Sequence, residues 1–126
     1  MKYLVLPAAV LALLLGLSLE NARILRADTA DYLAAVERAT AAAEREDWEA
    51  ALGALHGAQE RWDARKPWLH IVTAHDELET VDALFATTES FAIEQDRAEF
   101  RAEAAELSAQ LRVVAELQQL SARNVL

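Results

Sequence analysis

The chain has no cysteine among its 126 residues. Disulfides, thiolate zinc sites and thiol nucleophiles are therefore excluded. That absence leaves the compartment open, because a helical bundle with an adequate core needs no cross-links on either side of a membrane. Glycine and proline are scarce, at three and two residues. Strand-favouring β-branched and aromatic side chains are too thinly spread to build a sheet. Basic residues are outnumbered, 12 against 21 acidic ones, leaving a net charge of −9. This balance argues against nucleic acid as a partner, since phosphate binding needs a basic stripe. The same charge is wrong for lying flat on anionic lipid. Alanine and leucine, which lose little on entering a helix, make up most of the apolar content. The expectation is an all-α chain with one domain.

Charge is missing altogether from Tyr3 to Leu19, a run interrupted only by Pro7, Gly16 and Ser18. As a helix these residues span about 26 Å, slightly under a hydrocarbon core of about 30 Å. A cleaved signal peptide, an uncleaved anchor and a buried core helix compete for this segment. Signal cleavage wants small residues at −3 and −1. Gly16 with Ser18 is the best match, and Glu20 with Ala22 places a charge where a small residue belongs. A core helix fails because the run is apolar on every face, more than a small domain can cover. Residues 1–20 are therefore read as a single transmembrane anchor and residues 21–126 as a helical bundle domain. Orientation stays open on the residues alone: Lys2 favours an inside N-terminus, whereas Arg23 and Arg26 on the other flank oppose it.

Beyond Asn21 the apolar positions take helical spacing. A first helix runs out of the membrane segment to about Arg45, carrying Leu25, Tyr32, Val36, Ala39 and Ala43; continuity with the anchor as one long rod is left open. Asp47 is placed to cap a second helix, along which Trp48, Leu52, Leu55, Gln59 and Trp62 recur. Lys66-Pro67-Trp68 reads as the next break, with proline opening a third helix. That helix runs from Trp68 to about Phe91 over Ile71, Leu78 and Phe85, flanked by Ala74, Val81 and Thr88. A fourth follows Glu94-Gln95-Asp96, carrying Phe100, Ala104, Leu107, Leu111 and Val114, with Leu117 and Leu120 on its neighbouring flank. It reaches about Ser121, with Asn124 as a C-terminal cap. Asp47 and Asp96 stand 49 residues apart, which suggests one αα-hairpin used twice in an antiparallel bundle of three to four helices. The expected core is Trp48, Leu55, Trp62, Trp68, Leu78, Phe85, Leu107 and Leu111.

The densest polar cluster is His75, Asp76, Glu77, Glu79 and Asp82. His75, Glu79 and Asp82 share one side of a helix and could ligate a divalent ion. The same spacing sets a half-buried histidine against a carboxylate, and that plainer reading is preferred. His56 on the second helix would improve the site if it met His75, while His70 points away. No nucleophile elbow or phosphate-cradling loop accompanies these groups, and Gly53 and Gly57 fall inside a helix. No catalysis and no cofactor are expected.

The order of certain features resembles the domain-of-unknown-function family 4363, a set of short bacterial proteins. They are Asp47-Trp48 with Ala50-Ala51, Leu55, Trp62 and the Trp68-Leu69 pair. His75-Asp76-Glu77-Leu78-Glu79 follows with Val81-Asp82, and the chain closes on Ser121 with Asn124-Val125. The resemblance covers nearly the whole chain and implies an N-terminal hydrophobic helix with an extracytoplasmic helical domain. It implies no mechanism. The functional expectation is a non-enzymatic membrane-anchored domain that contacts another membrane protein or a second copy of itself. A metal or small-ligand sensor using His75, Glu79 and Asp82 is the alternative.

Overall fold

The computed structural model describes the backbone of residues 2–125, and the side chains in that range apart from Lys2, Val72, Ser121, Ala122, Asn124 and Val125. Among the described residues there are four helices: α1 (Lys2–Glu44), α2 (Trp48–Val72), α3 (His75–Ile93) and α4 (Arg97–Val125). Connections this short force each helix antiparallel to the one before it. α4 then packs back against α1, so each helix touches two neighbours and a four-helix ring closes around one core. At the far corner Arg101 donates to Glu44 with both Nε and Nη2, at 2.6 and 2.8 Å, clasping the start of α4 to the end of α1.

Two of the three turns share one construction. Glu46 and Gln95 take positive φ, 60° and 58°. At the first, the N–H groups of Glu46 and Asp47 donate to the carbonyls of Ala43 and Ala42. At the second, those of Gln95 and Asp96 donate to Ala92 and Phe91. This Schellman arrangement satisfies carbonyls that a helix end leaves unpaired. The next aspartate then caps the following helix. Asp47 Oδ1 accepts from the Ala50 N–H and Asp96 Oδ1 from the Glu99 N–H, each at 3.2 Å.

The repetition extends into the core. Tyr32, Val36, Ala39 and Ala43 on α1 correspond, 49 residues on, to Val81, Phe85, Thr88 and Ala92 on α3. Ala51, Leu55, Ala58, Trp62 and Leu69 on α2 correspond to Phe100, Ala104, Leu107, Leu111 and Gln118 on α4. All eighteen positions are buried. Size differs between the equivalent positions, Ala51 answering to Phe100 and Leu55 to Ala104. The buried hydroxyl of Thr88 donates back to the Leu84 carbonyl, and Gln118 Nε2 donates to Thr73 Oγ1 at 3.2 Å.

The structure corrects the sequence reading at the second corner. α2 passes through Pro67, and the break falls at Thr73 and Ala74, where Thr73 is extended. An interior proline removes one backbone hydrogen bond and costs roughly 3 kcal/mol. Continuing the helix seats Leu69, seven residues past Trp62 and on the same face, in the core at 3 % exposure. A break at Pro67 would forfeit that burial. Trp68 is therefore turned to the rim, 40 % exposed, and Ile71 belongs to α2 at 76 % exposure; neither is a core residue. Ala74, expected on a buried flank, is the exposed residue before α3. On α2 the core face uses Ala51 and Ala58 where Gln59 was expected. Gln59 is half-buried, as is Trp48, which packs edge-on against Phe100 with ring centroids 5.8 Å apart. α4 continues through Asn124 to Val125, so Asn124 lies within the helix; its side chain is outside the described residues.

Candidate functional site

The polar residues singled out on α3 do not converge. Asp82 faces α2, where its Oδ1 accepts the indole N–H of Trp62 at 2.8 Å and its Oδ2 pairs with Lys66 Nζ at 3.0 Å. Lys66 also reaches Asp63 at 3.6 Å. Its hydrogen bond to Asp82 raises the ammonium pKa above the usual lysine value, against the opposing effect of partial burial. His75 remains with Glu79, Nε2 to Oε1 at 2.8 Å, on an exposed stretch of helix. Its other neighbour is His70, the residue expected to point away. The two Nδ1 atoms lie 3.2 Å apart across the Thr73–Ala74 corner. That proximity follows from the displaced break, because His70 lies in the last turn of α2 and His75 begins α3. His56 meets Glu89 at 3.2 Å and not His75. No group of three or more potential ligands comes together among the described residues.

A charged seam that the sequence reading missed joins α1 to α2. Arg61 Nη1 lies 2.7 Å from Asp31 Oδ2, and Arg65 Nε lies 2.7 Å from Asp28 Oδ2. The buried Asp28 oxygen has no aligned hydrogen bond, so this contact is an ion pair. Its trace in the sequence is a pair of arginines four apart and a pair of aspartates three apart, each pair on one helix side. Beneath the seam Tyr32 packs edge-on against Trp62, centroids 6.0 Å apart. Burial, and next the nearby Asp28 charge, push its phenol up to about 12.

Two concavities adjoin this seam. A small, partly open hollow of about 10 Å³ lies among Leu25, Tyr32, Trp62, Leu69 and Val114, with Asp28, Arg65 and Gln118 also lining it, the space of at most one water. An open groove of about 420 Å³ runs between α1 and α2 over Ala35, Gly53, Ala54 and Gly57, with Arg38 and Arg61 beside it. No histidine lines either one. Acid–base chemistry needs a titratable group within hydrogen-bond reach of a bound substrate. His75 and Glu79 stand on open surface, outside both hollows.

The apolar run is the remaining feature with chemical consequence. Every residue from Tyr3 to Leu17 is exposed, and α1 is long and apolar enough there to cross a membrane. The match to a known family begins where that run ends. No curated protein matches the chain, and no solved structure does. The family described as "Domain of unknown function (DUF4363)" matches residues 21–125, all four helices of the bundle. With five-sixths of its length so matched, the chain belongs to the DUF4363 family.

Proposed function

We propose that the protein is a membrane-anchored, non-enzymatic helical domain that works by contact with another membrane protein or with a second copy of itself, on the extracytoplasmic side. One observation carries the reading: the exposed apolar stretch of α1 continues without a break into the bundle core. Leu6, Leu11 and Leu14 are each more than half exposed, whereas Val36 and Ala39 on the same helix are buried. Apolar surface on this scale costs about 25 cal/mol per Å² in water, and lipid removes that penalty. The groove over Gly53 and Gly57, with arginines on its rim, supports a binding role better than the scattered histidines support catalysis.

Alkaline extraction of membranes from cells making the full-length chain tests the anchor. The chain is expected to stay with the lipid, while residues 21–126 alone are soluble and helical. Release of the intact chain into the soluble fraction overturns the anchored reading. Protease added to intact cells tests the side: the extracytoplasmic assignment requires digestion of the bundle, and full protection defeats it.

A further inference from the structure

The end of the bundle nearest the apolar run carries exposed apolar side chains that the core does not use. Trp68 and Ile71 lie on the last turns of α2, and Leu120, 51 % exposed, lies near the end of α4. Their height along α1 follows from contacts already described. The pairs Asp31–Arg61 and Asp28–Arg65 set α2 antiparallel to α1, which brings Trp68 and Ile71 level with the stretch from Asn21 to Leu25. The Gln118–Thr73 hydrogen bond holds Leu120 at the same end. At about 1.5 Å per residue, that stretch lies within about 10 Å of Leu19.

Each headgroup layer of a bilayer is roughly 5–8 Å deep, and the apolar run falls about 4 Å short of the hydrocarbon thickness. Relief of that mismatch draws the base of the bundle toward the lipid. An indole at this depth is in its preferred setting, its ring against apolar chains and its N–H among polar headgroups. Arg23, Arg26 and Arg123 are exposed at this end, and so are Glu20, Asp76 and Glu79. The mixed charge favours apolar seating in zwitterionic lipid over attraction to an anionic surface.

We propose that Trp68 and Ile71 at the α2–α3 corner, with Leu120 on α4, sit in the headgroup layer of the membrane that α1 crosses, as a second lipid contact. The proposal rests on the anchored reading. Its test is the full-length chain reconstituted in phosphatidylcholine vesicles, floated on a density gradient, with tryptophan emission then measured in lipids brominated at graded depths. Trp48 is at the opposite end of the bundle and Trp62 is buried within it, so only Trp68 is within reach of bromine. The expected result is a partial loss of emission, greatest with shallow bromines and absent in Trp68→Phe. A chain that floats but is quenched by no lipid, or equally in Trp68→Phe, overturns the second contact and leaves the anchor standing. Blue-shifted, unquenched emission from Trp68 also overturns it, by showing that another copy covers the indole. A chain that fails to float removes the anchored reading itself.

Discussion

Trp62 joins three helices through one side chain. It sits on α2, meets Tyr32 of α1 edge-on and donates its indole N–H to Asp82 of α3, at 1 % exposure. Trp62→Ala is expected to destabilise the bundle by about 3–5 kcal/mol in urea unfolding. A loss well under 1 kcal/mol would contradict this packing. Asp82→Ala leaves the buried indole donor unpaired and takes a counter-charge from Lys66, for an expected loss of about 1–3 kcal/mol. Tyr32 gives the fold an alkaline dependence. Its phenol titrates near 12 in the folded chain and near 10 when free, so the folded state holds the proton more tightly. The associated stability is fully present below pH 10 and disappears as pH rises toward 12, on the order of 2 kcal/mol. The unfolding free energy of the wild type should fall more steeply than that of Tyr32→Phe across this interval; parallel curves would show that the phenol is not protected. The Glu44 carboxylate is shifted the other way, below its ordinary value, by its hydrogen bond from Arg101. The α1–α4 clasp therefore weakens only in acid, as pH falls through that lowered value.

At the level of elements, the two Schellman turns hold non-glycine residues in the left-handed region, at a penalty of about 1–2 kcal/mol each. Glu46→Gly and Gln95→Gly are each expected to raise stability, by about 1 kcal/mol at most once the greater freedom of the unfolded chain is counted. Gly53 and Gly57 invite the opposite change, because a Cβ at either would meet nothing within 4 Å. Alanine at each should stabilise α2 by about 0.5–1 kcal/mol in thermal or urea unfolding. A decrease would mean that the groove floor is more crowded than described. The elements best legible in the sequence are those with a local chemical marker. Asp47 and Asp96 announce their helix starts, and Glu94-Gln95-Asp96 marks its turn. Pro67 misleads because a proline that opens a helix and one embedded in it look alike over a few residues. The difference lies in Leu69 finding the core, a contact no local spacing displays. That single displacement also hid Trp68 on the rim and the His70–His75 approach.

For the whole molecule, the four-helix architecture and the apolar lead-in follow directly from spacing and composition. The candidate site is less legible. His75 with Glu79 can be found at i and i+4, whereas the choice of Asp82 to serve Trp62 and Lys66 depends on how α2 and α3 are set against each other. The 49-residue correspondence is likewise visible at the turns and hidden in the core, where Ala51 answers Phe100 and Trp62 answers Leu111. Burial at a position demands a side chain that fits its surroundings and not a particular identity, so the halves share burial and little identity.

Because α1 is one unbroken helix from Lys2 to Glu44, no joint separates the apolar segment from the body it carries. Any lean or spin of the apolar portion is delivered to the distal tip at Glu46 and Gln95, roughly 65 Å from the other end. Such an object behaves as a mast rather than a tethered float. On the anchored reading proposed above, planting its foot also sets the compass bearing of its groove.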